Sequence, residues 1–83
     1  LSRIEFATVE EAAEYVILND LDKDTKDYLI ALDNDELISL HFTFGMFLRN
    51  TCEITDKSLL YMHRDDISMM LIEEIVKRLK SER

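Results

Sequence analysis

From Asp35 to Cys52 the chain reads DELISLHFTFGMFLRNTC, its most apolar window and the hardest one to place. At 100° per residue, Leu37, Leu40, Phe44, Phe47, Leu48 and Thr51 gather on one side of a helix, while Ile38, Phe42 and Met46 lie across or around the cylinder. A helix that is apolar nearly all round has to be buried or covered. In 83 residues, either the other helices wrap it or a partner protein covers what they leave bare. The surroundings of its polar residues, His41, Arg49 and Asn50, therefore matter most. Gly45 interrupts this helix at a cost of about 1 kcal/mol relative to alanine, so a neighbouring helix or side chain is expected against the bare backbone there.

The remainder reads as helix too. There is no proline, a single glycine and no long alternation of apolar with polar residues, so the expected fold is all-α. It is a compact four-helix domain over residues 1–83, with 1–7 an irregular lead-in and a short irregular or 3-10 turn before the last helix. Helix one starts at Thr8, where Glu11 stands at capping-box spacing, and carries the stripe Val9, Ala12, Ala13, Val16, Ile17 as far as Asn19. Asp22 or Asp24 caps a short second helix running to Leu32. Asp33 and Asn34 link it to the central helix. The segment SLLYMH tucks Leu59 and Leu60 under the bundle and leaves Tyr61 at the surface. Asp65 or Asp66 caps the last helix, whose apolar face is Ile67, Leu71, Ile72, Ile75, Val76 and Leu79.

Charge divides the chain unevenly. The net charge is −8, and residues 1–36 hold eleven acidic and three basic side chains, against seven of each in 37–83. Such a field repels nucleic acid and anionic membrane and speeds encounter with a basic partner. The side chains expected to meet that partner are Glu10, Glu11, Glu14, Asp20, Asp22, Asp24 and Asp27, with Tyr61 beside them. No apolar run reaches membrane-spanning length and the opening LSRIEF has no signal-peptide pattern, so a cytoplasmic protein is expected. Because the chain starts at Leu1 rather than Met, residues upstream are expected to have been trimmed or not included.

Few residues invite chemistry. His41, His63, Asp65 and Asp66 are the candidates for metal or acid-base work, but Gly45 stands where a helical two-histidine site needs its second ligand. One glycine rules out a phosphate loop, and no serine sits in a nucleophile elbow. Cys52 has no companion thiol for a disulfide or a zinc site and reads as a small buried hydrophobe. No catalytic residue, metal or cofactor is expected. The economical reading of His41, Arg49, Asn50, His63, Asp65 and Asp66 is a polar lock in which Arg49 pairs with an aspartate across the turn before the last helix. The alternative is a small-ligand or metal-binding site made of His41, Arg49, His63, Asp65 and Asp66.

LISLHFTFGMFLRN followed by HRDDISMMLIEEIVKRL resembles a family of small bacterial proteins of unknown function with an LHFxxGMxIRN stretch and, further on, HPDDxS before a closing helix. The likeness runs from Thr8 to Leu79 and matches at His41, Gly45, Met46, Arg49, Asn50, His63, Asp65, Asp66 and Ser68. Arg64 stands in place of the family's proline and Leu48 in place of its isoleucine, and the tryptophan after its RN pair is missing. The resemblance implies a small helical fold and brings no activity. In size, helix count and acidity the chain also resembles the immunity proteins of nuclease bacteriocins, including a short third element ending near a tyrosine, here Tyr61. The expected function is accordingly a non-enzymatic interaction or inhibitor protein. A homodimer through Phe42, Met46 and Met70 is compatible with either reading of the polar residues.

Overall fold

The computed structural model of the chain describes residues 3–82. Its elements are strand β1 (Ile4–Phe6), helices α1 (Val9–Asn19), α2 (Lys23–Ala31), α3 (Asn34–Ser39) and α4 (Phe44–Thr51), strand β2 (Cys52–Ile54) and helix α5 (Arg64–Ser81). One 3-10 turn, Leu40–Phe42, separates α3 from α4, and another, Lys57–Leu59, precedes α5. Among the described residues there are thus five α-helices and a two-stranded sheet, where the sequence led us to expect four helices and no strand.

Local chemistry sets the helix starts. Thr8 caps α1 by accepting from the Glu11 N–H at 3.1 Å, while the Glu11 carboxylate takes the Ala7 N–H, also at 3.1 Å. Asp22 caps α2 through the Thr25 N–H at 2.8 Å. Asp33 and Glu36 close a full capping box at the start of α3. The last helix departs from expectation. Its cap is His63, whose Nδ1 accepts from the Asp65 N–H at 3.1 Å, rather than either aspartate. Asp65 and Asp66 consequently fall in the first turn, where the macrodipole favours carboxylates, and their side chains are free of capping.

The expected central helix breaks in two. Ser39 Oγ turns back to donate to the Glu36 carbonyl at 2.6 Å, and Leu40–Phe42 tightens into a 3-10 turn that Thr43 leaves with φ −112° and ψ −79°. His41, Phe42, Thr43 and Phe44 are aromatic or β-branched, residue types that sit less comfortably in an α-helix, and Gly45 adds no propensity of its own. The break re-aims the two halves. Leu37, Leu40 and Leu48 enter the core, whereas Ile38, Phe42, Met46 and Phe47 are left in solvent, Phe42 at 76 % exposure.

The lead-in is a strand over Ile4–Phe6, paired in parallel with β2 in the register Ile4 to Cys52 and Phe6 to Ile54. The Thr55 N–H and hydroxyl both donate to the Phe6 carbonyl, 49 residues away, at 2.8 and 3.2 Å. The Phe6 ring packs on Tyr15 of α1, so the sheet ties the start of α1 to the end of α4. Residues 1 and 2 of the expected lead-in lie outside the described residues.

Helix α5 is the axis of the core. Ile72 and Ile75 are fully buried, with Leu71, Val76 and Leu79 scarcely less so, and α1 and α4 flank the helix with Val16, Ala12, Ala13 and Leu48. Leu59 packs against this core, but Leu60, expected under the bundle, is 72 % exposed. No helix among the described residues is long and apolar enough to cross a membrane.

Candidate functional site

The break between α3 and α4 creates the surroundings of Arg49. Its side chain is 16 % exposed and runs back along α4 over Gly45, where an added Cβ would stand 3.2 Å from Nη1, 3.6 Å from the Leu40 carbonyl oxygen and 3.7 Å from Ile72 Cδ1. The glycine gives the guanidinium a bare stretch of backbone to lie on. From there Nη1 donates to Ser68 Oγ at 3.0 Å and Nη2 reaches the His41 carbonyl at 3.5 Å. Ser68 is buried, and its own hydroxyl proton goes to the Asp65 carbonyl at 2.8 Å.

Asp65 is the charged centre of the cluster. Its Oδ1 lies 3.6 Å from Arg49 Nη1, and its Oδ2 lies 3.8 Å from His41 Nε2 and 3.6 Å from His63 Nδ1. All three separations exceed hydrogen-bonding distance; only the Arg49 contact is an ion pair between permanently charged groups, and the Asp65 side chain is 46 % exposed. His63 Nδ1 accepts the Asp65 N–H, which requires that nitrogen to be unprotonated and leaves no charge on it to pair with the carboxylate. The ring of His41 meets Phe42 edge-on at 4.9 Å.

Of the six residues expected to form the lock, His41, Arg49, His63 and Asp65 come together. Asn50 and Asp66 are exposed, and no side-chain hydrogen bond joins either to the cluster. Ser68 holds the shortest Arg49 contact and was missed as a lock member. A signal for it was present, because Ser68 sits one turn before Leu71 and Ile72 on the apolar face of α5, where a hydroxyl needs a partner. Among the described residues no three His, Cys, Asp or Glu side chains converge in a manner that could hold a metal. Cys52 is buried, and that burial pushes its thiol above the ordinary range, the condition of an inert thiol rather than a nucleophile.

The seven acidic residues expected at a partner surface are all exposed, as is Tyr61, but their duties differ. Glu11 and Asp22 serve helix starts. Hydrogen bonding from Thr25 holds the Asp22 carboxyl below its usual range. Glu10 and Glu14 lie close enough to Arg78 to favour its charged form, after the larger effect of the Glu74 carboxylate at 2.8 Å. Asp20, Asp24 and Asp27 make no ion pair or side-chain hydrogen bond among the described residues. Asp24 and Asp27 share the outer face of α2 with Tyr28, which is 57 % exposed.

The family model of the domain of unknown function DUF6794 matches residues 7–79, and the chain belongs to that family. No curated protein and no solved structure matches it.

Proposed function

We propose that this protein is a non-enzymatic interaction domain, an immunity or inhibitor protein of the bacterial cytoplasm, that docks on a basic protein partner and on neither nucleic acid nor membrane. The observation that carries the reading is the outer face of α2, where Asp24 and Asp27, neither of them in an ion pair among the described residues, stand beside half-exposed Tyr28. Tyrosine supplies contact area at low entropic cost, and exposed carboxylates free of close ion pairs can steer a positive partner. Glu10, Glu11, Glu14, Asp20, Asp22 and fully exposed Tyr61 extend the candidate surface, the first three and Asp22 with structural or internally balanced roles as well. We further infer that the family is the one whose LHFxxGMxIRN and HPDDxS stretches the sequence resembles, because the residues quoted for that likeness include the four lock residues, Ser68 and Gly45. On this reading the cluster is a lock that holds α4 against α5, and it performs no chemistry.

The test is capture from the source organism with wild type and with Asp24→Asn/Asp27→Asn/Tyr28→Ala, followed by association rates at two salt concentrations. The expected partner is basic. Its association with wild type slows about tenfold in the variant, and the difference shrinks as salt shortens the reach of the field to about 8 Å near 0.15 M. An acidic partner, or rates indifferent to both the substitutions and the salt, would overturn the reading.

A further inference from the structure

A cleft of about 240 Å³ opens between β2 and the first turns of α5, and three of the five arginines of this acidic chain line it. Arg3 and Arg64 are exposed at its edge, and neither has an acidic partner within 4 Å among the described residues. Arg49 closes its inner end, with Nε lacking an acceptor among the described residues. Beneath the guanidinium groups the lining is hydrocarbon, chiefly Leu48 and Leu71, which are 1 % and 2 % exposed.

We propose that this cleft binds a small amphipathic monocarboxylate, its head on the arginines and its apolar body on Leu48 and Leu71. Charge sets the valence of the head. Glu53 in the lining and Asp65 beside Arg49 offset two of the three guanidinium charges, which leaves a balance suited to one negative charge rather than to a phosphate dianion. Volume sets the size of the body. At about 30 Å³ for each water-sized volume the cleft takes roughly eight non-hydrogen atoms, enough for the alkyl chain of octanoate with its carboxylate at the arginine-lined edge. The site stands apart from the α2 face and does not depend on protein docking there.

Octanoate, octanol and inorganic phosphate titrated into the full chain, followed by amide chemical shifts, test the assignment. Octanoate is expected to give saturable shifts around Leu48, Ser68 and Leu71, with octanol and phosphate each at least tenfold weaker. Arg3→Gln/Arg64→Gln removes two exposed side chains and is expected to raise the octanoate Kd at least tenfold with the melting temperature unchanged. The absence of saturable octanoate binding, equal binding of octanol or of phosphate, or an unaltered Kd in a folded double variant would each overturn the proposal.

Discussion

Helix α1 and the segment from Leu37 to Leu48 are both rich in apolar residues, yet the fold treats them differently. In α1 the five stripe residues Val9, Ala12, Ala13, Val16 and Ile17 are all buried, and the glutamates off the stripe face solvent. In the second segment Leu37, Leu40 and Leu48 are buried while Ile38, Phe42, Met46 and Phe47 are not. One stripe has a single favourable rotation against a core, and burial alone selects it. A helix that is apolar all round has several rotations of similar burial, so other forces must select one. Here those are the capping box at Asp33, the 3-10 break and the hold of Arg49 on Ser68 and the His41 carbonyl. The lesson is that polar contacts specify orientation where hydrophobicity is indifferent to it.

The largest test of this contrast compares two apolar residues of that segment. Leu48→Ala should cost about 2 to 5 kcal/mol in denaturant unfolding, because it opens a cavity at a buried site, whereas Phe42→Ser should change stability by about 0.5 kcal/mol or less. Equal losses would mean that Phe42 is covered, and concentration-dependent stability would identify a second copy through Phe42, Met46 and Met70 as the cover.

Next in size is Gly45→Leu. Its side chain must occupy the strip taken by Arg49 and Ile72, and overpacking predicts a loss of about 2 to 3 kcal/mol by the same measurement. An unchanged unfolding midpoint would show that the guanidinium can leave without penalty and that the cluster does not orient α4.

A smaller effect is expected from the charges. A double-mutant cycle on Arg49→Met and Asp65→Asn should yield about 0.5 to 1 kcal/mol of coupling, kept low by the 3.6 Å separation and the solvent around Asp65. Asp66→Asn in place of Asp65→Asn should give no coupling. If the two aspartates were interchangeable, the cluster would be a diffuse field and no lock.

The least effect belongs to the cap of α2. Since Thr25 holds the Asp22 carboxyl below its ordinary value of 3.8, the stabilisation is present above that pH and is lost as pH falls through the lowered folded-state value. Asp22→Asn keeps a capping oxygen that does not titrate, so amide exchange in α2 should become less acid-sensitive with little change at neutral pH. An unaltered acid response would place the weak point of α2 elsewhere.

Much of this architecture was legible in the chain itself. The limits of α1 and α2 and the buried face of α5 from Leu71 to Leu79 follow from periodicity and caps, which act over one or two helical turns. The rest depended on contacts between residues far apart. Three-residue strands are too short to show alternation, and β1 pairs with β2 only because the helices between them return the chain to the same place. Ser68 joined Arg49 only once α4 and α5 had packed. Which side of the segment from Leu37 to Leu48 would face water was likewise undetermined by its composition, because burial scarcely distinguishes the faces of a helix that is apolar all round. That decision rested with its break, its cap and the polar contacts of Arg49, which exist only in the folded chain.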